Sequence, residues 1–179
     1  MMYFIAFIAP GDVDEVISKW KGFMKERFNC SVALRSPAHI TLIPPFWMDE
    51  IHQSKLETAL DEFARQERKF AVELRDFGAF RPHVIYVTVR ANDELLQVRS
   101  RLEKFLTKGQ IFPIKKDDRP FEPHVTIATR DLHKKSFREA WMIFKEKKYH
   151  ASWQVDSIGL LKHNQKNWDV IFTSQFKSI

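Results

Sequence analysis

Two short segments of this 179-residue chain carry residues suited to acid–base chemistry: His39-Ile40-Thr41 and His124-Val125-Thr126. Imidazole gives and takes protons near neutral pH, and a positioned hydroxyl can donate a hydrogen bond to a developing oxyanion. Both triplets lie in apolar runs, and each is led in by a proline, Pro37 or Pro123. In an extended strand, residues i and i+2 project to one face. His39 and Thr41 therefore share a face, with Ile40 and Leu42 opposite. His124 and Thr126 likewise share a face, opposed by Val125 and Ile127. Seven His and seven Thr in the chain give about 0.3 such triplets by chance, so one alone is weak and two in matched settings are strong.

Two imidazoles and two hydroxyls facing a common space suit in-line displacement at a phosphodiester. One imidazole takes a proton from the nucleophile, and the other protonates the leaving oxygen from the opposite side of phosphorus. The threonine hydroxyls hold the non-bridging oxygens as charge builds. No metal or cofactor is required by this scheme.

The elements that must position these residues form a repeated pattern. Tyr3–Ala9 reads as an apolar strand stopped by Pro10-Gly11-Asp12. Asp12 is expected to cap a helix with Val13, Val16, Ile17, Trp20, Phe23 and Met24 at helical spacing. A short strand over Val32–Leu34 precedes the first His strand, His39–Ile43, which Pro44-Pro45 is expected to end. A helix over Asp49–Arg65 and a strand over Lys69–Phe80 follow. The order then begins again. Val84–Arg90 reads as a strand, and Asn92 or Asp93 can cap a helix that buries Leu95, Leu102 and Leu106. After the polar loop Lys115–Pro120 comes the second His strand, His124–Thr129, then a helix over Leu132–Lys147. Strands over Ser152–Leu161 and Trp168–Phe176 close the chain. The two histidines are 85 residues apart, close to half the length. The expected fold class is therefore α+β. It is one bilobal domain over 1–179, with lobes of about 1–82 and 83–179.

The motifs PAHITLIPPF and EPHVTIATR resemble the paired HxT signatures of the 2H phosphoesterase superfamily, in the branch of RNA 2′,3′-cyclic phosphodiesterases and 2′-5′ RNA ligase-like proteins. The resemblance covers nearly the whole chain in motif order and spacing. It implies two pseudo-symmetric lobes, each an antiparallel sheet with outer helices, and a cleft between them. It also implies metal-independent hydrolysis of a 2′,3′-cyclic phosphate, usually to a 2′-phosphate, with ligation at most a side activity. By motif, His124 would be the base, His39 the acid, and Thr41 and Thr126 the phosphate holders, with acid and base exchanged in the reverse reaction. This sequence departs from the pattern in two places. Ile43-Pro44-Pro45 delays the aromatic Phe46, and the candidate arginine, Arg130, falls six residues after His124. Phe46, Arg130 and Arg119 are the substrate-binding candidates. Phe46, Trp47 and Phe121 can stack on a base or belong to the core. Lys115, Lys116 and Arg119 form either a lid over an anion or a solvated loop balanced by Asp117 and Asp118.

Composition narrows the alternatives. The net charge of +6 and sequence pI near 9.4 permit an anionic partner. Five glycines form no GxxxxGK or GxGxxG loop, which argues against triphosphate and dinucleotide binding. Cys30 is the only cysteine, so there is no intrachain disulfide and no Cys-based zinc site. His52, His83, His133, His150 and His163 lack metal-ligand spacing. The reading is a cytoplasmic monomer without a membrane segment, acting on RNA ends or nucleotides that carry a cyclic phosphate. A non-catalytic RNA-binding module of the same fold, or a phosphodiesterase for a non-RNA cyclic phosphate, is the alternative.

Overall fold

The computed structural model describes residues 1–90 and 92–177. The chain runs β1 (Met2–Ile8), α1 (Gly11–Phe28), β2 (His39–Trp47), α2 (Gln53–Ala64), β3 (Phe70–Phe80), β4 (Val84–Arg90), α3 (Asp93–Thr107), β5 (His124–Ala128), α4 (Lys134–Phe144), β6 (His150–Val155), β7 (Ser157–His163) and β8 (Trp168–Gln175). These strands form two four-stranded antiparallel sheets, ordered β2-β1-β7-β8 and β5-β4-β3-β6. The α+β class and the duplicated order of elements are as expected.

The lobe limits are not those expected. A division at 82/83 would give β3 to the first lobe and β7 and β8 to the second. Instead, β3 joins the second-half strands β4 and β6, while the chain returns through β7 and β8 to complete the first sheet. Asp156 alone separates β6 from β7, so the expected single strand Ser152–Leu161 is two strands in different sheets. The physical reason is edge pairing: β1 needs a neighbour on its side away from β2, and β7 supplies it through Tyr3↔Lys162 to Ala6↔Gly159.

Alternation decides which face each strand buries. Tyr3, Ile5 and Phe7 of β1 join a core that also contains Ile40 and Leu42 of β2, Ile85, Val87 and Val89 of β4, and Val125 and Ile127 of β5. Each such side chain, fully buried, contributes about 1.5–3 kcal/mol. The opposite face of β1 carries Phe4 and Ala6, which cluster with Leu161 and Trp168. The helices interlock the sheets: α1 packs on β5 and α4, α3 on β2 and β3, and α2 on β7, β8 and α3. Asn92 caps α3 through Leu95 N–H at 2.8 Å. Asp12 does not cap α1, whose N-cap position is Pro10 with no side-chain bond.

Two further expectations change locally. Val32–Arg35 is a 3₁₀ turn, not a strand, because the Asp131 carboxylate accepts the Ser31 and Val32 N–H groups at 2.7 and 3.0 Å. Pro44-Pro45 does not end β2, which continues to Trp47. β2 is an edge strand with a register shift across the prolines, a setting in which a missing N–H costs no ladder bond.

Candidate active site

The two His strands, β2 and β5, are edge strands of different sheets, and they contact one another. Their core faces meet the shared interior, leaving His39, Thr41, His124 and Thr126 half-buried on the other side. The histidines are held in the same way. His39 Nδ1 donates to the Pro37 carbonyl at 2.7 Å, and His124 Nδ1 donates to the Glu122 carbonyl at 2.6 Å. A carbonyl only accepts, so the proton sits on Nδ1 in each neutral ring and the unprotonated lone pair is on Nε2. The prolines bring the chain into each strand, and the carbonyl two residues before each His fixes its tautomer.

Aromatic rings fix the imidazole planes. Phe4 lies 4.8 Å from the His39 ring, backed by Trp168 at 4.7 Å from Phe4. Phe80 and Tyr86 each lie 5.0 Å from His124. Burial pushes the His39 pKa down to about 4, with the charges of Lys21 and His124 adding to the effect and the Pro37 carbonyl opposing it. Burial also lowers His124, against the Glu122 carbonyl and carboxylate.

Two adjoining cavities share Thr41. A smaller one, about 190 Å³, is lined by His39, Thr41, Thr126, Arg130, Phe4 and Trp168 among others. A larger one, about 500 Å³, is lined by His124, Thr41, Phe80, Phe121, Arg99 and Arg119 among others. Its far wall is the segment between α3 and β5. There Arg99 pairs with Glu103 at 3.1 Å and lies over the Phe121 ring at 5.5 Å. Glu103 also accepts the Asp117 N–H at 2.8 Å, and Asp117 holds Arg119 through two bonds of 2.8 Å.

The sequence-predicted residues divide accordingly. Arg130 reaches the cleft because its backbone is left-handed, with φ 47°, which turns the chain just beyond β5. Arg119 reaches the larger cavity although it is exposed. Phe46 does not line either cavity: it is 8% exposed and packs against Tyr3 in the core, because the register shift at the prolines places it opposite Tyr3. Trp47 is 70% exposed and lies away from both cavities, beside Met1 and Met48. Lys116 pairs with Asp118 as the solvated-loop reading expects. Arg99, which lines the larger cavity, was not among the sequence-predicted site residues; its partner Glu103, in the otherwise apolar stripe of α3, was the available signal.

Among the described residues, no group of three or more His, Cys, Asp or Glu is placed to hold a metal ion, and no helix is long and apolar enough to cross a membrane. Cys30 is buried, and burial together with its bond to Asp131 pushes the thiol up to about 12.

Paired His-x-Thr edge strands across a cleft, in a duplicated α+β fold, are the organisation of a 2H phosphoesterase-type protein. The model of the 2′-5′ RNA ligase superfamily matches residues 9–167, and the chain belongs to that family. A Geobacillus kaustophilus protein named as a candidate phosphoesterase is 28% identical over 97% of this chain and 95% of its own length. Among solved structures, TT0787 of Thermus thermophilus superposes with a TM-score of 0.72 at 18% identity, covering 98% of both chains. E. coli LigT complexed with 3′-AMP gives 0.66 at 19% identity, again over 98% of both chains.

Proposed function

We propose that this protein is a phosphoesterase of the 2H type that hydrolyses 2′,3′-cyclic phosphate ends of RNA or nucleotides to 2′-phosphates. The observation that carries the reading is the matched pair of imidazoles, each with Nδ1 on a backbone carbonyl and Nε2 free, beside cavities that meet at Thr41. The capture of 3′-AMP by the LigT structure is consistent with a nucleotide in such a cleft.

In the proposed step, a neutral imidazole takes a proton from water as the water oxygen bonds to phosphorus. The P–O3′ bond breaks, and the second imidazole, protonated, gives its proton to O3′. Thr41 and Thr126 donate to the non-bridging oxygens, and Arg130 offsets their charge. The family resemblance implies His124 as base and His39 as acid, but the surroundings favour the reverse. His39 is the harder of the two to protonate, and it faces the cavity that suits a water and a phosphate. His124 faces the cavity of a size suited to a nucleoside, and so to the leaving oxygen.

The test is incubation with 2′,3′-cyclic nucleotides and cyclic-phosphate-ended RNA in chelator, with the product phosphate located by phosphorus NMR. His39→Ala and His124→Ala should each lose about 10²–10⁴ in rate. A substrate with sulfur as the leaving atom needs no acid, so it should rescue His124→Ala and not His39→Ala; the opposite rescue restores the assignment implied by the family. Full activity in the double variant refutes the proposal. Salt-sensitive RNA binding without turnover would favour the binding-module reading.

A further inference from the structure

Trp168 lines the smaller cavity together with His39, Thr41, Thr126 and Arg130, yet it has no part in the proton transfers. It opens β8, the outer strand of the first sheet, and is half-buried. Its ring meets Phe4 at 4.7 Å and 73°, and His163 at 4.8 Å and 61°. Phe4 in turn lies against His39. Phe4 is only 4% exposed, so Trp168 supplies the accessible aromatic surface of this cavity.

The indole is held in place before any ligand arrives. His163 and Trp168 are paired across the β7–β8 hairpin. Asn164 builds the hairpin end: its Oδ1 accepts the Lys166 and Asn167 N–H groups at 3.0 and 2.6 Å, and its Nδ2 donates to Asp169 at 2.7 Å. A ring fixed in advance loses little freedom on binding, so its stacking is retained as affinity. Charge separates the two cavities. Both arginines lining the larger one are paired with carboxylates, Arg99 with Glu103 and Arg119 with Asp117, whereas Arg130 in the smaller one has no such partner among the described residues. A further backbone phosphate is therefore better met on the Arg130 side. A fixed aromatic ring beside an unopposed cation is what sites for single-stranded nucleic acid use.

We propose that Trp168 is a base-stacking residue for the nucleotide that precedes the cyclic-phosphate end, so that the preferred substrate is an unpaired RNA end of at least two nucleotides. This rests on the reading of the cleft above, with the terminal nucleoside in the larger cavity and its phosphate at Thr41, the residue the two cavities share. One linkage then carries the chain across to the smaller cavity, where the preceding base meets the indole and its phosphate meets Arg130. A base stacked inside a duplex has no face to offer, so the end must be single-stranded.

The test is a cycle between protein and substrate. The substrates are short single-stranded RNAs ending in a 2′,3′-cyclic phosphate, with the penultimate nucleotide either intact or abasic. For the parent protein, removing that base should lower kcat/KM by about 5–100-fold. In Trp168→Leu the preference for the base should vanish, and in Trp168→Phe most of it should return. A merely structural role, supporting Phe4 and through it His39, would slow both substrates alike and leave their ratio unchanged. A parent protein indifferent to the penultimate base, or an unchanged ratio in folded Trp168→Leu, overturns the proposal. Binding of the same RNAs with a 2′-phosphate end, followed by fluorescence anisotropy, separates the two ways of failing. A parent protein that turns over no cyclic phosphate overturns the reading of function, while base-dependent affinity that is lost in Trp168→Leu still upholds stacking on Trp168.

Discussion

Gly78 stands directly across from Tyr86 in the β3–β4 pair. A β-carbon built there would lie 2.6 Å from Tyr86 Cζ and 2.7 Å from the phenolic oxygen, whereas ordinary contact begins near 3.4 Å. Gly78→Ala therefore forces the Tyr86 ring to retreat by at least about 0.8 Å, within the 1–3 kcal/mol class of overpacking costs. The ring is bounded by Phe80, 4.6 Å away, and by His124, 5.0 Å away. Its movement is thus delivered to the imidazole, where a displacement of about 1 Å costs on the order of 10²-fold in rate. The assay is kcat/KM on a 2′,3′-cyclic nucleotide beside urea denaturation of the same variants. Gly159→Ala is the internal control, since the new methyl meets the flexible Ile8 side chain at 3.0 Å and asks only a few tenths of an ångström. It should be the milder change in both measurements. A double-mutant cycle with Tyr86→Leu should give a coupling of about 0.5–3 kcal/mol. Wild-type kcat/KM in Gly78→Ala, or additivity in the cycle, would refute the claim that glycine at this position sets the His124 ring.

The pH dependence follows from the two imidazoles. With His39 as base near 4 and His124 as acid below its ordinary 6.5, kcat/KM should be bell-shaped with its maximum on the acid side of 6.5. The kcat profile should lie at higher pH, because a bound phosphate anion favours protonation of both rings. Asp131→Ala should destabilise the protein by about 1–3 kcal/mol by leaving the Ser31 and Val32 N–H groups without their acceptor, and it should weaken phosphate binding by freeing the turn that carries Arg130. Burial pushes the Asp131 carboxyl up, but bonds from Ser31, Cys30 and Val32 leave it below the ordinary value. Its contribution is present above that ordinary value and is lost as pH falls through the folded pKa, visible as a smaller acid dependence of Tm in the variant. Lys21 has the opposite linkage. The folded state binds its proton less well, so stability rises with pH between about 8 and 10.5. Lys21→Met should remove that rise and increase Tm at neutral pH.

The parts of the site legible in the sequence are those governed by local periodicity. Alternation in His39–Leu42 and His124–Ile127 assigns the His and Thr to one face without knowledge of any partner strand. Pairing is not local. Nothing in the β-branched pattern of Val84–Arg90 says whether β3 or β7 lies beside it, so the return of β7 and β8 to the first sheet is invisible until the chain is folded. The same limit misplaced Phe46, since its face depends on a register shift against β1. It also hid the role of Asp131, whose hydrogen-bond partners at Ser31 and Val32 are about 100 residues away and turn an apolar tripeptide into a 3₁₀ turn. Arg130 was recognisable as a charge near the motif, but its aim depends on one left-handed residue.

The duplication explains both the likeness of the two histidines and the difference needed between them. A symmetric pair of imidazoles, each neutral and each on a backbone carbonyl, would have no preferred direction for moving a proton. Equivalent positions on α1 and α3 carry buried residues of opposite charge, Lys21 and Glu103. Both residues perform the same mechanical task, holding a backbone group in the approach to a His strand. Glu103 is paired with Arg99, and Arg99 lines the larger cavity. The segment between α3 and β5 is also longer than the one between α1 and β2, and it supplies Arg119 and Phe121 to that wall. Burial and cavity size therefore run together across Thr41: His39, whose pKa burial pushes down to about 4, lines the smaller cavity, and His124, also lowered by burial, lines the larger one.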